Sequence, residues 1–174
     1  LIATQPAFER FFNRSGPQGN KAARQSDLTT LKVSDLMARR PITGTPDTTA
    51  QDAARLMREH RISCVPVVLG DRLVGIVTTR DLSGRVLAEG RALDTPLSAI
   101  MTPDPMSLAP EALGSDILHM MLEHRIGHLP VTRDGALVGM ITQTDLTRFQ
   151  AISSGQLVRD AATAQDAAAL AEVT

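Results

Sequence analysis

Hydrophobic positions follow two different periods along the first half of the chain. The segment PDTTAQDAARLMREH (46–60) places apolar residues at helical spacing, which predicts an amphipathic helix that starts near its proline and aspartate. Two short apolar runs rich in β-branched residues occupy 64–68 and 73–78, and the turn residues between them predict a buried two-stranded ribbon. A second helix is predicted from 79–81 onward, with Gly90 suited to ending it.

The same order of elements occurs a second time. Val33–Leu82 aligns with Leu97–Leu146 without a gap, so that MREHRISCVPV meets MLEHRIGHLPV and RLVGIVTTRDL meets ALVGMITQTDL. A duplication of this kind decides the architecture, because each copy is one supersecondary unit. For the second copy, the pattern predicts a helix over about 111–124, strands near 128–132 and 137–142, and a helix from about 143.

Because strands and helices alternate, the predicted fold class is α/β (α+β), with two pseudo-symmetric repeats, each a small sheet packed by two helices. A unit this small buries little surface alone, so we expect the two copies to pair around a pseudo-two-fold axis. The predicted divisions are an N-terminal helix and linker (1–30), repeat 1 (31–92), repeat 2 (93–149) and a C-terminal helical segment (150–174).

Composition and charge exclude several functions. The formal net charge is −1 and the chain lacks Trp and Tyr, so it has neither a global field nor the aromatic faces that attract single-stranded nucleic acid. The single cysteine forbids an internal disulfide, and no apolar run approaches the roughly 18 residues of a membrane-spanning helix. We therefore expect a cytoplasmic protein with neither nucleic acid nor a membrane as partner.

The motif G-x-x-T-x-x-D ends the second strand of each copy. Glycine lets a backbone or a ligand approach the strand closely, and the threonine and aspartate then sit at the junction with the next helix. There they can hydrogen-bond the vicinal hydroxyls of a ribose, and the amides of the helix start can meet a phosphate. The alternative is that the two residues merely cap the helix. The motif residues are Gly75, Thr78, Asp81, Gly139, Thr142 and Asp145.

The repeat order, the MxEHRIxxxPV segment and the GhhTxxD ending resemble the CBS (cystathionine-beta-synthase) domain family over about 31–148. In that family, paired domains form a Bateman module whose two clefts commonly bind AMP, ADP, ATP or related adenosyl ligands. The resemblance implies that Asp81 and Asp145 hold ribose hydroxyls, with Thr78 and Thr142 beside the sugar or phosphate. It implies that the base is enclosed by Ile62 and Ile76 in one cleft and by Ile126 and Met140 in the other.

One departure from the family pattern distinguishes the two copies. Two positions before the strand proline, where related domains often carry a basic residue, this chain has Cys64 in repeat 1 and His128 in repeat 2. We therefore expect the second cleft to bind phosphate better, especially below about pH 6.5, where histidine becomes charged. Arg80 can add a phosphate contact in the first cleft, whereas Thr144 cannot replace its charge.

Other constellations have simpler interpretations. His124 and His128 have the i, i+4 spacing of a zinc pair, but a helix should end near the first and a strand begin near the second, which breaks that geometry. Cys64 and His60 lack a third orienting group for nucleophilic catalysis, so a buried inert thiol is expected. Arg61 and Arg125 belong to polar helix ends, with a phosphate contact as the alternative.

These observations predict a regulatory module that senses an adenosine nucleotide, requires no cofactor and is not an enzyme. The family resemblance also predicts a homodimer that uses the helices near Leu56, Met57, Met120 and Met121. The alternatives are a module that only dimerises, or an enzyme whose acid, base or metal set is not evident.

The flanks add a resemblance of their own. The chain begins at Leu1 rather than Met, so we expect it to be part of a longer polypeptide. The segments LIATQPAFERFF and ISSGQLVRDAATAQDAAALAEV resemble bacterial multidomain proteins with a cyclic-nucleotide-binding domain before the CBS pair and a nucleotidyltransferase domain after it.

Overall fold

A computed structural model of the chain describes residues 28 and 30–149. The expected terminal helices of 1–30 and 150–174 therefore lie outside the described residues, except for residues 28 and 30. The predicted fold class is confirmed: helices pack on an antiparallel sheet of six strands. The elements are α1 (Val33–Leu36), β1 (Ala38–Arg39), α2 (Ala50–His60), β2 (Cys64–Leu69), β3 (Arg72–Thr78), α3 (Thr79–Asp81), a π-helical turn (Leu82–Leu87), a 3₁₀ turn (Leu97–Ala99), β4 (Thr102–Pro103), α4 (Gly114–His124), β5 (His128–Arg133), β6 (Ala136–Thr142) and α5 (143–149).

The helices of the two repeats begin later than the apolar pattern predicts. α2 starts at Ala50 because the side chain of Thr49 caps it, accepting a hydrogen bond from the Asp52 amide at 3.1 Å. α4 starts at Gly114 rather than near 111, and the Asp116 carboxylate accepts from the Leu113 amide at 2.9 Å. The polar residues before each helix therefore form the loop and the cap.

The hairpins β2–β3 and β5–β6 form as predicted and meet edge to edge. Within each hairpin the strands are antiparallel, and across the repeats Arg72 of β3 pairs with Ala136 of β6. Leu73 donates its amide to the Gly135 carbonyl and Leu137 donates to the Asp71 carbonyl, at 3.1 and 2.9 Å. These two bonds are related by the repeat alignment, so the repeats face each other around a pseudo-two-fold axis.

The segment that opens each repeat, 33–39 in repeat 1 and 97–103 in repeat 2, packs on the other repeat. β1 pairs with β6 of repeat 2, whereas β4 pairs with β3 of repeat 1. The core of repeat 2 accordingly contains Val33, Leu36 and Met37, and that of repeat 1 contains Leu97 and Ile100. The sequence does not predict this reciprocal exchange. As a result, each repeat contributes its opening segment to the core of the other repeat and the rest of its apolar residues to its own core.

The helices of the predicted dimer interface turn their methionines inward. Met57 and Met121 are 4% and 6% exposed and lie inside the cores of repeat 1 and repeat 2, so these two side chains are not available to a second copy. Leu56 and Met120 are partly buried against the same two cores. The exposed apolar side chains on α4 are instead Leu118 and Leu122.

Candidate ligand-binding cleft

Both strand-to-helix junctions hold a threonine and an aspartate in the same hydrogen-bonded arrangement. Oδ2 of Asp81 accepts from the Thr78 amide at 2.8 Å and from the Thr78 hydroxyl at 2.6 Å. Oδ2 of Asp145 accepts from the amide and hydroxyl of Thr142 at 2.9 and 2.7 Å. The helix-cap interpretation is therefore correct for the threonines and for one oxygen of each carboxylate. The other oxygen, Oδ1, is left for a second partner.

A cleft of about 930 Å³ opens between the repeats beside the first of these junctions. This volume lies in the range of small-molecule sites. Repeat 1 contributes the junction Thr78–Asp81. The crossing segment, residues 97–106 of repeat 2 that pack on repeat 1, contributes Thr102 and 104–106. Repeat 2 contributes His124–His128 together with residues of α4 and α5. The cleft is therefore built from both repeats.

The cleft combines an apolar wall with cationic groups. Ile76 and Ile126 both line it, and the exposed guanidinium groups of Arg80 and Arg125 border it. His124 and the acidic Asp104 lie at the same cleft. Arg125 ends α4 in the left-handed conformation, with φ of 52°. Such a site suits a ligand with an apolar ring, hydroxyl groups and negative charge.

The sequence-based grouping of site residues by repeat holds for Ile76, Thr78 and Arg80, which line one cleft with Asp81, but not for the other members. It joins Asp81 with Ile62 and Cys64, but the structure joins Asp81 with Ile126 and His128 in one cleft. Ile62 packs instead on the core of repeat 1.

The Asp145 junction of repeat 2 likewise lies close to a residue of repeat 1. Cys64 of repeat 1 lies close enough to Asp145 of repeat 2 for that charge to act on the pKa of its thiol. Met140 is buried with Cys64 and Ile76 in a small apolar cluster and does not line the cleft beside Asp81.

His128 has an environment that opposes protonation. Burial lowers the pKa of its imidazole below the usual value, and the nearby charge of Asp145 offsets this only in part. Its Nε2 lies 2.7 Å from the Ser63 hydroxyl of the other repeat. Two premises of the expected phosphate advantage below about pH 6.5 are therefore corrected: His128 lies in the cleft of Asp81, and its imidazole becomes charged only at a lower pH.

Cys64 is not a candidate for phosphate binding or nucleophilic attack. Its side chain is buried, and desolvation together with the Asp145 charge raises the pKa of its thiol to about 12. A thiol that is almost fully protonated at neutral pH is a poor nucleophile. The structure thus makes Cys64 a packing residue at the inter-repeat contact.

The geometry also bears on the zinc hypothesis. α4 ends at His124, and β5 begins at His128, so the two side chains do not share a helical face. Within residues 28 and 30–149, no three His, Cys, Asp or Glu side chains converge in a group that could hold a metal ion.

Sequence reasoning missed the contribution of the crossing segment. Thr102 and 104–106 line the cleft because the exchange places this stretch alongside β3 of repeat 1. The prolines shared by the two copies, Pro41 and Pro105, were the available signal, but local pattern could not show which repeat they approach.

The match to known proteins identifies the family. The model of the CBS domain matches residues 33–88 and 97–152, so the chain belongs to the CBS domain family and carries a tandem pair, a Bateman module. The CBS domain-containing protein YhcV of Bacillus subtilis is 36% identical over 114 residues, which cover 66% of this chain and 81% of that protein.

Solved structures with the same fold include an uncharacterized conserved protein from Pyrococcus horikoshii, with a TM-score of 0.66, 30% identity and coverage of 71% of this chain and 94% of that one. The CBS domain pair of protein MJ0100, in complex with 5′-methylthioadenosine and S-adenosyl-L-methionine, has a TM-score of 0.65 at 26% identity and covers 70% of this chain and 96% of its own. Across the described part of the chain, no helix has the length and apolar character needed to cross a bilayer.

Proposed function

We propose that this CBS pair is a regulatory module that binds an adenosine-containing ligand between its repeats. The observation that carries the proposal is the cleft itself, in which the Asp81 carboxylate of repeat 1 faces the same space as Ile126 and His128 of repeat 2. A ligand in this space contacts both repeats. It therefore stabilises one relative position of the repeats, which is the requirement for a sensor.

Each chemical part of an adenosine ligand has a counterpart in the site. A carboxylate with one oxygen already held by the backbone is a fixed acceptor for sugar hydroxyls. Ile76 and Ile126 offer apolar contact to a base, and Arg80 and Arg125 offer charge to a phosphate or carboxylate. The MJ0100 complex supports the same ligand class, because both of its bound compounds contain adenosine.

Thermal shift and calorimetry with AMP, ADP, ATP, S-adenosylmethionine and 5′-methylthioadenosine test the proposal. A ligand that binds the folded protein raises Tm by mass action. Asp81→Asn should weaken binding at the cleft by about tenfold or more, because a hydrogen bond to a charged group is worth about 1.5–3 kcal/mol. Asp47→Asn, which removes the same charge from an exposed loop, is the matched control. No Tm shift and no heat with any of these compounds would contradict the proposal.

We further propose that the chain is not an enzyme. The duplicated threonine hydroxyls are committed to the aspartates of their own junctions, and the buried Cys64 is protonated. Incubation with ATP, followed by separation of the nucleotides, should show no turnover. Hydrolysis that persists in an Asp81→Asn, Asp145→Asn double variant would contradict this proposal.

The proposed assembly is a cytoplasmic homodimer. Leu118 and Leu122 lie one turn apart on α4, where they also border the cleft, and Leu122 is 69% exposed, so this face offers apolar area to a second copy. The same face supports the alternative function, a module that dimerises without a ligand. Light scattering should give a dimer, and Leu122→Asp should give a monomer. A strict monomer at high concentration would contradict the assembly.

We propose that the parent protein places a cyclic-nucleotide-binding domain before this pair and a nucleotidyltransferase domain after it. The resemblance of the flanking segments supports this arrangement. The sequence of the complete reading frame tests it, and a frame that encodes neither domain would contradict it.

A further inference from the structure

The two junction carboxylates have the same partners on the helix side and different partners on the other side. Asp81 and Asp145 each use Oδ2 to accept two hydrogen bonds from their threonines. Each carboxylate oxygen offers about two acceptor positions, so Oδ2 is filled in both copies. Any difference between the two junctions in sugar recognition must therefore arise at Oδ1.

Arg85 creates such a difference. Its Nε lies 3.5 Å from Oδ1 of Asp81, in an i, i+4 ion pair whose carboxylate is only 14% exposed. The same guanidinium donates from Nη1 to the Ile100 carbonyl of the crossing segment, and this hydrogen bond holds the guanidinium in place. The guanidinium thus covers one side of Oδ1.

Repeat 2 has no equivalent of this arginine. The residue four positions after Asp145 is Phe149, which is buried in the core of repeat 2. Oδ1 of Asp145 has no hydrogen bond or ion pair with any residue of 28 and 30–149. Among these described residues, neither of its two acceptor positions is occupied.

We propose that Arg85 makes the two junctions differ in how they recognise a sugar. Asp145 can accept hydrogen bonds from both hydroxyls of a cis-diol, whereas Asp81 can accept a hydrogen bond from only one. This inference rests on the proposed function. The Asp145 junction is then selective for ribonucleosides. The Asp81 junction binds ribonucleosides and 2′-deoxyribonucleosides with similar affinity. Arg85 is a positioning residue, since it acts on the ligand through Asp81.

The ratio of AMP to 2′-deoxy-AMP affinity, measured by calorimetry, tests the inference. Asp81→Asn leaves the Asp145 junction and should favour AMP by about 10- to 100-fold, the value of one hydrogen bond to a charged acceptor. Asp145→Asn leaves the Asp81 junction and should favour AMP by less than about threefold. Adding Arg85→Met to Asp145→Asn should raise the ratio toward that of the other junction.

Arg91→Met in the Asp145→Asn background is the matched control. Arg91 also pairs with an acidic residue, Glu89, and also reaches the 3₁₀ turn, at the Ala99 carbonyl 3.4 Å away, but it does not touch Asp81. This control should leave the ratio unchanged.

The outcomes separate the inference from the proposed function. Equal ratios at the two junctions, or a ratio that does not respond to Arg85→Met, would overturn the inference and leave the ligand-binding function standing. No heat with either nucleotide would overturn both. If Arg85→Met fails to fold, the comparison of Asp81→Asn with Asp145→Asn still decides, because both retain Arg85.

Discussion

The close approach of the exchanged segments to the sheet predicts a large effect of adding one methyl group at Gly139. A Cβ there would overlap the sulfur of Met37, lie 2.9 Å from its Cγ and lie 3.1 Å from the Ala38 carbonyl oxygen. Met37 is 5% exposed and has no room to retreat without leaving the core of repeat 2. Overpacking of this kind costs about 1–3 kcal/mol. Gly139→Ala should therefore lower the free energy of unfolding by about 2 kcal/mol and Tm by about 4–8 °C.

Urea denaturation of a double-mutant cycle tests the reason for this loss. Met37→Ala alone should cost about 2–5 kcal/mol, but in that background Gly139→Ala should be close to neutral, because the methyl group enters the vacated space. Gly84→Ala is the control, since nothing lies within 4 Å of a Cβ at that position. Additive effects of the two substitutions, or an equal loss in Gly84→Ala, would refute the packing argument.

Three further predictions concern the junctions and the inter-repeat contact. Thr142→Val removes the hydrogen bonds between the Thr142 hydroxyl and Asp145, and it should lower the free energy of unfolding by about 1–2 kcal/mol in urea titrations. Substitution of the exposed Thr144 by Val should be nearly neutral. Equal effects of the two substitutions would contradict the helix cap. Because burial lowers the pKa of His128, the unfolded chain binds more protons below about pH 6.5, so wild type should lose stability relative to His128→Gln as the pH falls from about 7 to 5. A stability difference that is constant over this range would contradict that environment. Native Cys64, with a thiol pKa of about 12, should react with a disulfide reagent at about pH 8 at least roughly 30-fold more slowly than the urea-unfolded chain, since the smaller thiolate fraction is partly offset by higher nucleophilicity. Rapid native labelling would show that the thiol is accessible.

The local elements were predictable because they depend on local signals. The β-branched runs became β2, β3, β5 and β6 with bounds within one or two residues of those expected. The helix starts were less accurate, since the pattern does not reveal which polar residue before α2 acts as the cap, and Thr49 performs that role. The paired threonine and aspartate of each junction were also found from sequence, because both occupy the same positions in two copies.

The partners of those junctions could not be predicted in the same way. Whether Asp81 faces Ile62 or Ile126 depends on how the hairpins meet across the pseudo-two-fold axis, and no local pattern contains that information. The role of Gly75 shows the same limit. Sequence reasoning assigns it to the close approach of a backbone or a ligand, and the structure shows that the approaching group is the side chain of Met101.

The exchange also explains why the folding unit is the pair rather than the repeat. Val33, Leu36 and Met37 are each 6% exposed or less in the core of repeat 2, although they belong to repeat 1 in the sequence. Burial of three such side chains contributes about 5–9 kcal/mol, which is comparable with the whole stability of a typical domain. Leu97 and Ile100 of repeat 2 are buried in the core of repeat 1 in the same way. Each core therefore depends on a segment that must cross to it, and the crossing segment after β4 also forms one wall of the cleft. Since one continuous segment completes a core through Leu97 and Ile100 and borders the site through Thr102 and 104–106, a change in the relative position of the repeats reaches the cleft without any separate transmitting element.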